Sequence, residues 1–560
     1  MKISILKVSS VFTIKEEAMK RAFWFDDEHM DEQIAAVDTT GTNAVHFAKN
    51  YNNKSVTENG ATGYRTTTKA LLDLNFMVSS LRSRDEEYIV KEFVKAYHES
   101  PMYAVKWLFF LRDILEGMGE RRTFRVCLHY LAVSQPKIAK ALIKYVPEYG
   151  RFDDALVLLD TSLAGDVAAM YKEQLDKDIK AMEEGKQISL LAKWLPSINT
   201  SSATTKEYAK KLCKHFKMSP KEYRKILAKL RAYGNVLETK MSESAWSEIN
   251  YEIVPAKANM KYDKAFERHD LERRSEYLEK VFLGEGKLNA NGLMPYEIVH
   301  RITRGEYYCP GFKGDLLSEL MWKKLVEEGF KNEWGLDDAI VVADGSGSMY
   351  SHASGSSSIM AIEICNALAI YFAEQLKGVF HNKAITFSER PQFIDLKENT
   401  SLKDKLEIMF SHCEVANTNI EAVFDLILEM AKSKEVPREE LPKQVLVISD
   451  MEFDAATAPG YYNSRGWKRA DETLFAQIAK KYEDAGYKMP RLIFWNVCGR
   501  TNTIPKVGNE EGLCLLSGFS QNAMKIAADK TRKDPYEALI KVLDSPRYQP
   551  IEDAIMQFVA

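Results

Sequence analysis

Two patterns of apolar and polar positions divide the chain. From about residue 84 to 330, apolar residues return every three or four positions, the period of helices that bury one face. In "EEYIVKEFVKAYHES", Ile89, Phe93 and Tyr97 are spaced by four. "PMYAVKWLFFLRDIL" opens with a proline suited to a first helical turn and is apolar nearly all round, which predicts a buried helix. "RRTFRVCLHYLAV" and "PKIAKALIKYV" follow, each after a short break, and such pairs predict an antiparallel helical array. No crisp repeat motif recurs. Ahead of this stretch, "YNNKSVTENGATGYRTT" is rich in turn formers and reads as a long surface loop.

From about 336 the pattern changes. "DDAIVVAD", "NKAITFS", "KQVLVISD", "RLIFWNV" and "GLCLLSG" are short continuous apolar runs. Between them lie the helical patterns "IMAIEICNALAIYFAEQL", "NIEAVFDLILEMAKS" and "DETLFAQIAKKYEDAG". Buried strands alternating with helices predict a doubly wound α/β fold, a mostly parallel sheet covered on both faces. The expected organisation is an N-terminal extension, partly loop, over 1–83, an α-helical repeat domain over 84–335 and an α/β domain over 336–560. Ligands of such sheets sit at the carboxyl ends of the strands, where Asp344 and Asp450 fall.

Composition narrows the function classes. With 45% hydrophobic and 28% charged residues the 560-residue chain is of globular type. A net charge of -3 argues against a basic coat for nucleic acid, so any polyanion must meet a local patch. The seven cysteines are scattered singly, without a CxxC. That argues against a disulfide framework or a zinc knuckle and for a reducing, cytoplasmic setting. The first residues lack the features of a signal peptide, and no run approaches the ~20 apolar residues of a membrane span.

The stretch "VVADGSGSMY" (341–350) carries the chemistry. It lacks the lysine of a phosphate loop, the spacing of a dinucleotide fingerprint and that of a serine nucleophile elbow. Asp344, Ser346 and Ser348 are alternate residues in a turn after a strand, so a carboxylate and two hydroxyls can face one point. Hard oxygen donors of this kind suit Mg2+, with Mn2+ or Ca2+ as alternatives. Thr418, just before a helix, and Asp450, at the end of a later apolar run, are the further oxygens expected at that rim. A Gly/Ser turn without metal is the plain alternative.

DxSxS after a strand, a later threonine before a helix and a later strand-end aspartate resemble the metal-ion-dependent adhesion site of von Willebrand factor type A domains. The resemblance covers about 336–560. It implies that Asp344, Ser346, Ser348, Thr418 and Asp450 hold the ion, some through water, and that an acidic group of a partner takes its open position. "YSHASGSSS" makes the segment after Met349 longer than usual in that family. Stretches such as "LRDILEGMGERRTFR", "VPEYGRFDDAL", "KWLPSINTSS", "NGLMPYEIV", "VLVISDMEFD" and "SGFS" are similar to an uncharacterised family of plant, bacterial and phage proteins. The succession of helical half and type A half also resembles the TROVE module of Ro ribonucleoproteins. That likeness implies a HEAT-like ring of helical repeats binding misfolded and small non-coding RNA.

The residues bear on RNA directly. From 201 to 240 there are eleven basic residues and three acidic ones. Lys206, Lys210, Lys214 and Lys217 share one helical face, with Tyr208, Leu212 and Phe216 on the other. "SPKE" from Ser219 is a capping box, so a second helix starts there, carrying Lys221 and Arg224 outward and Tyr223, Leu227 and Leu230 inward. Arg121, Arg122 and Arg125 form a smaller cluster. Such footprints fit phosphates, although lysine-rich faces are commonly only solvated. Trp194, Trp246 and Trp322 read as core, and His269 lacks a second histidine at ligand spacing.

The expected function is therefore a non-enzymatic RNA-binding or scaffold protein with a metal-dependent docking site for an acidic partner and no membrane attachment. A docking module without RNA is the alternative. A Mg2+-dependent hydrolase comes last, because Glu452 and Asp454 are the only further carboxylates near in sequence.

Overall fold

The structure, a computed structural model, describes residues 53–56, 62–304, 311–332, 334–354, 358–413, 419–435, 437–452, 471–499, 504, 513–529 and 534–559. The chain divides into two compact units, one of residues 1–54 and 196–224, the other of residues 55–195 and 225–560.

In the second unit the first helices are α1 (Ala70–Phe76), α2 (Glu86–Glu99), α3 (Pro101–Arg112), α4 (Arg122–Ser134), α5 (Pro136–Leu142) and α6 (Ala164–Glu183). The boundaries follow local chemistry. Asp85 accepts the Tyr88 N–H at 2.7 Å to start α2, and Ser100 followed by Pro101 ends it and starts α3. Ile89 and Phe93 are buried and Tyr97 is half-buried, while α3 is buried from Ala104 to Arg112. Helix begins earlier than the periodicity suggests. α1 packs on α2 and buries Leu71, Leu72, Leu74 and Phe76, a run too short and too evenly apolar to show a period.

Two helices follow, α7 (Ala203–Phe216) and α8 (Pro220–Tyr233). α7 and the first turn of α8 fall in the first unit. The second unit continues with α9 (Ala256–His269), α10 (Leu271–Phe282), α11 (Pro295–Thr303) and α12 (Leu316–Gly329).

The α/β part of the second unit has six strands: β1 (Ala339–Asp344), β2 (Lys383–Phe387), β3 (Phe393–Asp395), β4 (Gln444–Ser449), β5 (Arg491–Asn496) and β6 (Leu513–Ser517). Their order is β3-β2-β1-β4-β5-β6, with β3 antiparallel and the others parallel. The five parallel strands are the five apolar runs of the sequence. Three-residue β3 is too short an edge for alternation to show in the sequence.

The helices of this part are α13 (Ala361–Gln375), α14 (Leu402–Ser411), α15 (Ile420–Ser433), α16 (Asp471–Asp484), α17 (Pro535–Leu543) and α18 (Gln549–Val559). α13 lies on β1, with α11 and α12 against it, so nearly all its side chains are buried. α18 returns to pack on α3 and α5. There Lys106, with no exposed side-chain surface, sits 2.6 Å from both Asp544 and Glu552. A buried ammonium is tolerated because two carboxylates offset its lost hydration. Among the described residues no helix is long and apolar enough to cross a membrane.

Candidate metal centre and basic surface

Strand order reverses between β1 and β4, which opens a crevice beyond their carboxyl ends. Ala343 pairs with Ile448, so Asp344 stands beside Ser449, and Asp450 is the next residue of the neighbouring strand. The chain leaves β1 through Gly345, packed so closely on Cys413 that a Cβ would lie 3.1 Å from its sulfur. The loop then turns back. The Ser346 N–H donates to Asp344 Oδ1 at 2.9 Å, and the hydroxyls of Ser346 and Ser348 lie 3.0 Å apart. On the other strand, the Ser449 hydroxyl donates to Asp344 Oδ2 at 2.5 Å, and the Glu452 N–H donates to Asp450 Oδ1 at 3.1 Å. Met451, between them, has φ of 65°, a left-handed conformation that is uncommon away from glycine.

Asp344, Asp450 and Glu452 are only 2, 1 and 3% exposed. Burial raises the Asp344 carboxyl well above the ordinary carboxylate range, and the negative charge of Asp450 adds to that; the bonds from Ser449 and Ser346 work against it. Two buried carboxylates side by side with two hydroxyls form a hard-oxygen set that a divalent cation would satisfy. Asp344, Ser346, Ser348 and Asp450 would be its holders. Among the described residues no group of three or more His, Cys, Asp or Glu is placed for a metal, so the set depends on its hydroxyls. Thr418 and Asp454 lie outside the described residues. Ser449 is not among the residues expected from the sequence; its one signal there is a hydroxyl just before a strand-end aspartate. Burial pushes the Cys413 thiol up to about 11, so it stays protonated at neutral pH and supplies no nucleophile.

In the first unit, Ser202 caps α7 by accepting the Thr205 N–H at 3.2 Å. Ser219 accepts the Glu222 N–H at 3.2 Å while Glu222 accepts the Ser219 N–H at 2.7 Å, the reciprocal pair that "SPKE" predicts. Leu212, Phe216 and Tyr223 are buried, and the Phe216 and Tyr223 rings lie 6.2 Å apart. Lys206, Lys210, Lys214, Lys217, Lys221 and Arg224 are all exposed. Among the described residues none of the six has a carboxylate at ion-pair distance; the nearby acids are engaged, Glu207 with Lys211 at 3.1 Å and Glu222 with the cap.

The arginine cluster of the second unit is different. Arg125 bonds Asp154 at 2.7 Å and Asp153 at 2.8 Å, and Arg122 donates to the Leu81 carbonyl at 3.3 Å. Of the three predicted there, Arg121 alone has no such bond among the described residues. Trp322 is buried as expected, whereas Trp194 and Trp246 are half-exposed. Trp194 carries the Arg151 guanidinium 3.8 Å from its ring centre, and Trp246 stacks on His269 at 4.4 Å.

Residues 338–549 match a domain of unknown function (DUF7788), and residues 57–149 and 161–332 match a second domain of unknown function (DUF2828). An uncharacterised protein of Acanthamoeba polyphaga mimivirus is 27% identical over 535 residues, covering 89% of each chain. The similarity thus extends through both the helical and the α/β stretches, and none of these descriptions names an activity.

Proposed function

We propose that the protein is a non-catalytic RNA-binding scaffold of the Ro/TROVE kind. Its helical part grips structured, non-coding RNA through phosphates, and its α/β part is a von Willebrand factor type A domain that docks an acidic partner through a divalent cation, Mg2+ before Mn2+ or Ca2+. The observation that carries the RNA reading is the exposed basic face of α7 and the first turn of α8, whose six cations have no carboxylate at ion-pair distance among the described residues. The i,i+4 pair of α7, Glu207 with Lys211, leaves these six cations out. Lysines on a helix face contact phosphates, so binding is salt-sensitive and weakly dependent on base sequence.

The docking reading rests on the paired buried carboxylates of Asp344 and Asp450 beside the hydroxyls of Ser346 and Ser348 at the switch point of the sheet. The cation supplies a site for an anionic ligand oxygen; the chain's own part is to hold the donors in place through Ser449 and the turn at Met451. A docking module without RNA draws support from the internal pairing of Arg122 and Arg125. Fluorescence anisotropy with a labelled hairpin RNA separates the two. The RNA reading requires wild type to bind and the variant with Lys210, Lys214, Lys217 and Lys221 changed to Glu to lose at least tenfold in affinity. Binding by neither leaves the docking module; equal binding by both removes this face as the RNA surface.

A further inference from the structure

In the second unit a cleft of about 440 Å3 opens where helices of its N-terminal part meet its α/β part. Residues 114–119 after α3, residues 290–294 before α11 and the last turn of α12 form three of its walls. Ser520, Gln521, Asn522 and Lys525 form the fourth, and Tyr371 of α13, buried, completes the lining. The walls are tied to one another. The Ser520 hydroxyl donates to the Gly117 carbonyl at 3.1 Å, and Asn522 Nδ2 donates to the Leu115 and Gly117 carbonyls, each at 3.1 Å. Gln521 Nε2 donates to the Leu293 carbonyl at 3.5 Å, and Lys525 Nζ lies 3.2 Å from Glu116. Glycines let the walls approach. Gly119 has φ of 69°, and a Cβ there would lie 2.8 Å from Met294 Cε. At Gly329 a Cβ would lie 2.2 Å from Tyr371 Oη. A cleft held by such bonds is formed before any ligand arrives, and its size is that of small-molecule sites.

The groups left over set the chemistry of a ligand. Ser520, Gln521, Asn522 and Lys525 spend donors on the chain itself, and Asn332 Nδ2 donates to the Glu328 carbonyl at 3.4 Å. Acceptors remain. Gln521 Oε1 is buried without a hydrogen bond. Glu328 is half-buried, and among the described residues its carboxylate makes no ion pair and no hydrogen bond. Lys525 and Glu116 offset each other, so Glu328 leaves the cleft with negative charge in excess. A partly covered carboxylate is best offset by a cation that also donates hydrogen bonds. Ile114 and Leu115, 40 and 62% exposed, line the same cleft and suit methylene groups.

We infer that this cleft binds a small protonated amine, with the ammonium on the Glu328 carboxylate and its methylene chain against Ile114 and Leu115. This goes beyond the RNA and docking readings and uses none of their residues, so either can fail without the other.

The test is calorimetric titration at low salt with putrescine, 1,4-butanediol and succinate, which share a four-carbon skeleton and differ in their end groups. The proteins are wild type, Glu328→Gln and Glu327→Gln, the last altered one residue away and outside the cleft. Wild type is expected to bind putrescine at least tenfold more tightly than butanediol and not to bind succinate. Its thermal midpoint is expected to rise with millimolar putrescine and not with butanediol, a readout that needs no variant. Glu328→Gln is expected to keep the wild-type midpoint without ligand and to bind putrescine at least tenfold more weakly. Glu327→Gln is expected to bind it as wild type does. No binding of putrescine to wild type, or equal binding to Glu328→Gln, overturns the inference. An equal loss in Glu327→Gln marks general attraction to an acidic surface and overturns it as well. Butanediol binding as tightly as putrescine removes the charge argument, and preference for succinate makes Lys525 the binding group; each overturns it.

Discussion

His300 Nδ1 lies 3.0 Å from Glu363 Oε1, joining α11 to the first turn of α13. Glu363, fully buried, also accepts the Met360 N–H at 2.9 Å and the Thr303 hydroxyl. The bond to Glu363 holds His300 above its ordinary value. Burial alone would raise Glu363, but the bonds from His300, Thr303 and Met360 outweigh it and hold the carboxyl below its ordinary value. The histidine contribution is complete below its unfolded value of about 6.5 and is lost as pH rises through the raised one. The glutamate contribution is complete above its unfolded value of about 4.3 and is lost as pH falls through the lowered one. The pair therefore stabilises most between those two values. His300→Gln is expected to lower the unfolding free energy by about 1–2 kcal/mol near pH 6, with a smaller loss near pH 9. Urea melts at the two pH values check it, and a pH-independent loss would contradict it.

Lys106 allows two opposing effects to be ranked. Removing the lysine strands two carboxylates that are 45% and 25% exposed and can rehydrate. Removing both carboxylates strands a fully buried ammonium. The Asp544→Asn, Glu552→Gln double variant is expected to lose about 3–5 kcal/mol, and Lys106→Met less than that. Chemical denaturation of the three proteins decides it, and a larger loss for Lys106→Met would reverse the ranking.

Gly329 ends α12 against α13, where a Cβ would lie 2.2 Å from Tyr371 Oη and 2.6 Å from Gln375 Nε2. Gly329→Ala is expected to cost about 1–3 kcal/mol by overpacking, although alanine is the better helix former. An unchanged thermal midpoint would show that α12 can shift freely.

At the metal centre, Asp344→Asn removes one of two mutually repelling buried charges. Without added metal the variant is expected to match or exceed wild type in thermal midpoint. Wild type is expected to gain several degrees with millimolar Mg2+ or Mn2+, and Asp344→Asn nothing. A gain in both proteins would place the cation elsewhere.

Legibility followed burial. β1, β2, β4, β5 and β6 are continuous apolar runs because both faces of the sheet are covered, so they stood out; β3 at the edge did not. Asp344, Ser346, Ser348 and Asp450 could be named because one short loop and one strand end hold them. Ser449 could not, since its role comes from the β1–β4 register. The lysines of α7 were readable from helical spacing. For Arg122 and Arg125 the partners Leu81, Asp153 and Asp154 are set by packing between elements, which spacing does not reveal. Trp194 and Trp246 read as core from size alone, and contacts with Arg151 and His269 instead hold them near the surface.

The central claim is tested most directly by the affinity of wild-type protein for a structured RNA across a salt series, with and without EDTA. The account predicts a linear fall of log affinity with log salt, by about 0.7–0.9 per phosphate contacted and so about 4–5 in all for the six-cation face. It also predicts no effect of EDTA, because the cation serves the partner and not the RNA. A flat salt response, no binding at low salt, or binding abolished by EDTA would contradict it.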